Sequence, residues 1–167
     1  MYKLSGIEIE NENILGHLHE AMDRAVPSAD TTSRLEIEYA CLRSMMLEPQ
    51  NPTMWNALAL VYMMSDRAKE AEAAIERSLD INTSNAWTWT IWGDLLRQEG
   101  RLMEAERAYR MALELNPSDP YILKHLALLC SARGAYPEAV DLFQSLIPSV
   151  PNNQDIWDAY SFCMKKI

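Results

Sequence analysis

Three histidines, three cysteines and a surplus of carboxylates are the residues of this 167-residue chain whose types could do chemistry. His17 and His19 stand two apart, so on a helix they point to different faces, and His125 lies more than a hundred residues further on. A zinc site needs ligands at i and i+4, or paired cysteines at short spacing. Cys41, Cys130 and Cys163 are dispersed instead, and two of them fall on slots that a helical core would occupy. Buried, reduced thiols are therefore expected. No glycine-rich phosphate loop occurs, and Glu70, Glu72 and Glu76 fall on what reads as the solvent face of one helix. The chain is expected to be no enzyme and to hold neither metal nor cofactor.

Charge narrows the partners. The net charge is −9 and uneven: residues 1–51 carry four basic and nine acidic side chains, whereas residues 120–167 carry four of each. Nucleic-acid binding needs a basic stripe, which this pattern does not offer. An acidic amino-terminal surface could attract a basic partner or could simply keep the protein soluble. No uninterrupted apolar run is long enough to span a bilayer. Met1 to Asn13 lack the charge and apolar core of a signal peptide, so a cytoplasmic home and no membrane partner are expected.

The elements that must position these side chains announce themselves by a period. Trp55, Trp89, Leu123 and Trp157 follow one another at intervals of 34 residues. In step with them run Leu58, Trp92, Leu126 and Tyr160, then the small residues Ala59, Gly93, Ala127 and Ser161, then Tyr62, Leu96, Cys130 and Met164. Spacings of three, four and seven place these on one face of a first helix. A turn slot follows at Asp66, Gly100 and Gly134, where positive φ is tolerated. A second stripe runs through Ala71, Ala105 and Ala139, then Ile75, Tyr109 and Phe143, then Leu79, Leu113 and Ile147. Thr83, Pro117 and Pro151 close the units, and Pro137 suits the first turn of a second helix.

Helix, turn and helix in 34 residues, with Trp89, Trp92, Gly93, Gly100, Ala105, Tyr109, Ala112 and Pro117 in order, resembles the tetratricopeptide repeat. Units 52–85, 86–119 and 120–153 share the pattern, with Thr83, Leu123 and Leu146 as departures. The resemblance implies an all-α fold, an α-solenoid of antiparallel helix pairs wound as a right-handed superhelix, as a single domain over residues 1–167. Upstream, residues 12–51 read as a degenerate first repeat with a loop insertion, or as an unrelated capping pair. Leu15, Leu18, His19 and Met22 form its first stripe, and Ser33 with Glu36 makes a capping box. Residues 154–167 read as a carboxyl-terminal capping helix.

In this family the first helix of each repeat lines a concave groove. The matching positions are Asn56, Leu60, Met63 and Met64; Trp87, Thr90, Ile91, Asp94, Arg97 and Gln98; Tyr121, Lys124, His125 and Leu128; and Asp155, Asp158 and Phe162. The resemblance thus implies a protein–protein interaction module, an adaptor, scaffold or co-chaperone that takes a peptide or helix of another protein on an apolar strip fringed by charge. Trp87 stands out as its anchor. Alternatively, these side chains pack on the amino-terminal helix and fill the groove from within.

Two narrower settings can be weighed. The Lys and Asn clamp that holds chaperone tails in some tetratricopeptide domains is missing, because its positions are Asn56, Leu60, Ile91, Tyr121 and His125 here. Size, charge and layout are similar to those of secretion chaperones that hold a client protein. An assembly role is the alternative: Ile156, Cys163 and Ile167 form a second stripe on the last helix, with Trp157, Tyr160 and Met164 expected to pack backwards. The chain would then be a homodimer through that helix, and otherwise a monomer.

Overall fold

A computed structural model describes residues 2–4, 7–9, 39, 41, 48 and 50–167. Strands β1 (Tyr2–Leu4) and β2 (Ile7–Ile9) pair antiparallel, with Tyr2 opposite Ile9. The alternation of Ile7, Glu8 and Ile9 suits such a ribbon. The expected opening repeat, including Leu15, Leu18, His19, Met22 and the Ser33–Glu36 box, lies outside the described residues.

From Pro52 onward the described chain is helical. Helices α1 (Pro52–Met64), α2 (Ala68–Ile81), α3 (Ala86–Gln98), α4 (Leu102–Leu115), α5 (Pro120–Arg133) and α6 (Tyr136–Leu146) alternate as the period requires. A short 3-10 turn over Ile147–Ser149 leads to α7 (Gln154–Met164). Every first helix starts on an Asn or Asp at the same repeat position. Asn51, Asn85, Asp119 and Asn153 each accept hydrogen bonds from backbone N–H groups of the first turn. These caps satisfy donors that the helix itself leaves orphaned. Second helices start without such a cap, and Arg67 and Arg101 instead pair with Glu70 and Glu104 three residues on.

The turn slot behaves as its residues suggest. Asp66, Gly100 and Gly134 have φ of 56°, 75° and 84°, the left-handed conformation that reverses the chain between paired helices.

The chain divides into two compact units, Met1–Ser84 and Asn85–Ile167. A stack of helix pairs has no single centre, since each pair touches only its neighbours. In the first unit α1 packs on α2, burying Leu58, Ala59, Ala71 and Ile75. In the second, α3 packs on α4, α4 on α5, α5 on α6, and α6 on α7. One continuous core from Leu96 through Tyr109, Leu126 and Phe143 to Cys163 joins them. Gly93 marks the tightest approach: a Cβ built there would lie 2.7 Å from Cε1 of Tyr109.

The last helix is turned opposite to expectation. Ile156 and Cys163 are buried in the core, where the Cys163 thiol lies 3.2 Å from the Ser131 hydroxyl. Trp157, Met164 and Ile167 are 38%, 47% and 69% exposed. The reason is visible in the complete repeats. There Gly93, in the slot of Ser161, faces Tyr109 on the second helix of its own pair, whereas Ile156 and Cys163 join the core that α5 and α6 build. An exposed self-association stripe of Ile156, Cys163 and Ile167 is therefore overturned for its first two members.

Candidate functional site

The residues expected along the first helices fall into two groups. Asn56, Leu60, Met63, Thr90, Ile91, Asp94 and His125 are buried. Met64, Trp87, Arg97, Tyr121 and Lys124 are half-buried, and Gln98, Leu128, Asp155, Asp158 and Phe162 are exposed. One repeat position shows the change: Leu60 and Asp94 are buried, whereas Leu128 and Phe162, at 34-residue steps beyond, are 39% and 49% exposed. The accessible part of this face is thus carried mostly by α5 and α7, within the second unit.

A polar cluster supports it from below. Asp94, fully buried on α3, accepts a hydrogen bond from Tyr109 Oη at 2.6 Å and one from Tyr121 Oη at 3.0 Å to each carboxylate oxygen. A charged carboxylate out of water is tolerable only with donors of this kind. The Tyr121 ring sits 4.2 Å from that of His125, which stacks in turn on Tyr109 at 5.9 Å. Arg97 completes the group, its guanidinium 3.8 Å from Asp94. Burial works against its charge, but Tyr109, Asp94 and Tyr121 together hold its pKa above the ordinary value. Burial first, and then the charge of Asp94, push the Tyr109 phenol up, so it remains a donor at any physiological pH. The cluster fixes α3, α4 and α5 to one another and sets the tilt of the Tyr121 ring. Sequence reasoning placed Asp94 at the fringe of a groove and Tyr109 in the apolar core. A lone Asp in a column otherwise filled by Leu60, Leu128 and Phe162 was the available signal.

A second cluster brings together residues that no motif linked. Donor atoms of Glu106, Cys130 and Glu138 all lie within 4.8 Å of one another, close enough to hold a metal ion. Both carboxylates are already engaged by arginines. Arg110 reaches Glu106 at 2.8 Å and Glu138 at 2.5 Å, and Arg133 reaches them at 3.1 and 3.4 Å. Burial, followed by the charges of Glu138 and Glu106, raises the Cys130 thiol to about 11. A protonated thiol beside two paired carboxylates is a poor metal ligand. The arrangement acts as an ionic staple among α4, α5 and α6.

No helix of the described residues is long and apolar enough to cross a membrane.

Models of the tetratricopeptide repeat match residues 92–154 and residues 52–85. No curated protein matches by sequence. Among solved structures, one of Naa15/Naa10 bound to HypK-THB shares 20% identity at a TM-score of 0.73, over 93% of this chain and 22% of that one. The pilF protein of Pseudomonas aeruginosa shares 16% at 0.74, over 93% of this chain and 68% of its own. MamA shares 15% at 0.68, over 93% and 83%. The chain thus spans about a fifth of the first of these matches and more than two thirds of the other two. Identities this low speak for the fold alone.

Proposed function

This chain belongs to the tetratricopeptide repeat family, and from that premise we propose that it is a non-catalytic binding module that takes a peptide or helix of a partner protein on the first-helix face of its second unit. The observation that carries the reading is the exposure of Leu128 and Phe162 at one repeat position, beside half-buried Tyr121, Lys124 and Arg97. Two exposed apolar side chains at repeat spacing suit a ligand that presents apolar residues along its length, with Lys124 and Arg97 at the edge for polar contacts. Trp87, half-buried at the start of α3, lies on the same unit and extends the set. Tyr121 reaches the ligand already oriented, because its hydroxyl is committed to Asp94. That lowers the ordering cost of binding.

The role is that of an adaptor, scaffold or co-chaperone working in the cytoplasm. Buried Cys130 and Cys163 thiols support a reducing compartment. Holding a client in the manner of a secretion chaperone uses the same face and differs only in the partner.

Affinity co-purification from the source lysate tests the reading, comparing wild type with Lys124→Glu/Leu128→Glu after circular dichroism has shown both to be folded. A protein recovered with wild type and lost from the variant supports the face. Equal recovery from both overturns it.

A further inference from the structure

Arg67, Arg77, Arg101, Arg110 and Arg133 each have a carboxylate oxygen within 3.6 Å. Arg97 does not. The carboxylate beside it, that of Asp94, stands off at 3.8 Å and already accepts from the Tyr109 and Tyr121 phenols. The Arg97 Nε is buried and has no hydrogen-bond partner among the described residues. With 39% of the side chain accessible, the rest of its fork of donors can be reached from solvent. Lys124, half-buried on α5, makes no ion pair among the described residues either. The Asp94–Tyr121 hydrogen bond joins α3 to α5 across 27 residues, and one turn further along both helices the same offset sets Lys124 beside Arg97. Leu128 follows one turn beyond Lys124 and is exposed.

We propose that the partner of this face is an acidic peptide, a segment whose Glu or Asp carboxylate seats between Arg97 and Lys124 while a neighbouring apolar side chain rests on Leu128. This rests on the reading of the face as a peptide-binding surface and adds the chemistry of the peptide. Two cations held side by side and partly out of water need an anion to offset the cost. At the next turn of α3 that anion is already present, because Arg101 is taken by Glu99 and Glu104 at 3.1 and 2.7 Å. At Arg97 and Lys124 the partner supplies it. Charge also selects among anions. Asp94, Arg97 and Lys124 together carry one net positive charge, which a single carboxylate neutralises and a doubly charged phosphate overshoots. A basic segment would meet like charge at the same place. The planar fork of Arg97 matches a carboxylate, and Lys124 adds a point charge beside it.

The test is affinity selection of random-sequence peptides with blocked termini, phosphoserine included among the residues, on the whole chain immobilised. Blocking leaves side chains as the only source of carboxylate. Wild type is expected to retain peptides enriched in Glu or Asp next to apolar residues. In solution, changing that Glu to Gln in a retained peptide should weaken binding about tenfold, the effect of one charge-assisted contact. Arg97→Gln and Lys124→Gln, each shown to be folded by circular dichroism, should keep the apolar preference and lose the acidic one, and Arg97→Lys should recover part of it. Retained peptides with no acidic preference, or with Lys and Arg or phosphoserine enriched instead, overturn the proposal. If those peptides are still lost from Lys124→Glu/Leu128→Glu, the face stands as a binding surface and only its acidic partner falls. A wild type that retains nothing above blank resin overturns both.

Discussion

Gly93 and Tyr109 show how one contact fixes a helix pair. A Cβ at position 93 would meet three atoms of a fully buried ring at 2.7 to 2.9 Å. Neither partner has room to give, so Gly93→Ala should destabilise by ~1–3 kcal/mol despite its better helix propensity. Urea denaturation would show it as a lower midpoint at unchanged slope. Beside it, Asp94 depends on its two phenols. Tyr109→Phe removes a 2.6 Å hydrogen bond to that buried carboxylate. A loss of ~1.5–3 kcal/mol is expected, with less from Tyr121→Phe because Tyr121 is half-buried and water can replace its hydroxyl. Denaturation of both variants would rank them. Cys130 adds a dependence on pH. Its folded pKa is raised from 9.0 to about 11, so the folded state holds the proton more tightly than the unfolded chain. That contribution is complete below about pH 9 and is lost as the solution passes upward through about 11. Stability measured between pH 8 and 11 should therefore fall less steeply in Cys130→Ala than in wild type.

Among the elements, helix positions and turns were legible because they depend on local chemistry. The 34-residue step, the residues able to take positive φ and the prolines at unit ends all act within a few residues of themselves. The caps were legible but overlooked: Asn51, Asn85, Asp119 and Asn153 keep the same step. Replacing Asn85 or Asp119 by Ala should cost ~1 kcal/mol each, because each accepts from two backbone N–H groups. A shift of thermal midpoint by a few degrees would check it. Which side of α7 lies inward was a harder matter. Its two apolar stripes, Ile156 with Cys163 and Trp157 with Met164, are of similar strength, and the larger aromatics drew the assignment inward. Packing on α5 and α6 chose the smaller side chains instead. Burial along the first helices was illegible for a related reason. Leu60 and Leu128 occupy the same repeat position, yet one is buried and the other exposed, because burial depends on what lies across from a residue and not on its own helix. The Glu106–Arg110–Glu138–Arg133 staple was hidden likewise, its members coming from three helices.

For the molecule as a whole, the question is where cooperativity resides. Stacked repeats stabilise one another only across nearest-neighbour contacts, so a segment that closes its own core can stand apart from the rest. The core running from Leu96 to Cys163 lies wholly within Asn85–Ile167, and its supporting residues begin at Trp89. The Asp94 cluster and the ionic staple fall inside the same segment. A fragment spanning residues 85–167 should therefore fold without the preceding chain, keeping a helical circular dichroism spectrum and a single cooperative melt. A fragment with a coil-like spectrum would show that the second unit relies on the first. A fragment that folds would allow binding to the Lys124 and Leu128 face to be measured apart from the acidic amino-terminal region. Charge attraction and groove recognition would then be separable by a salt titration, since only the former weakens steeply with ionic strength.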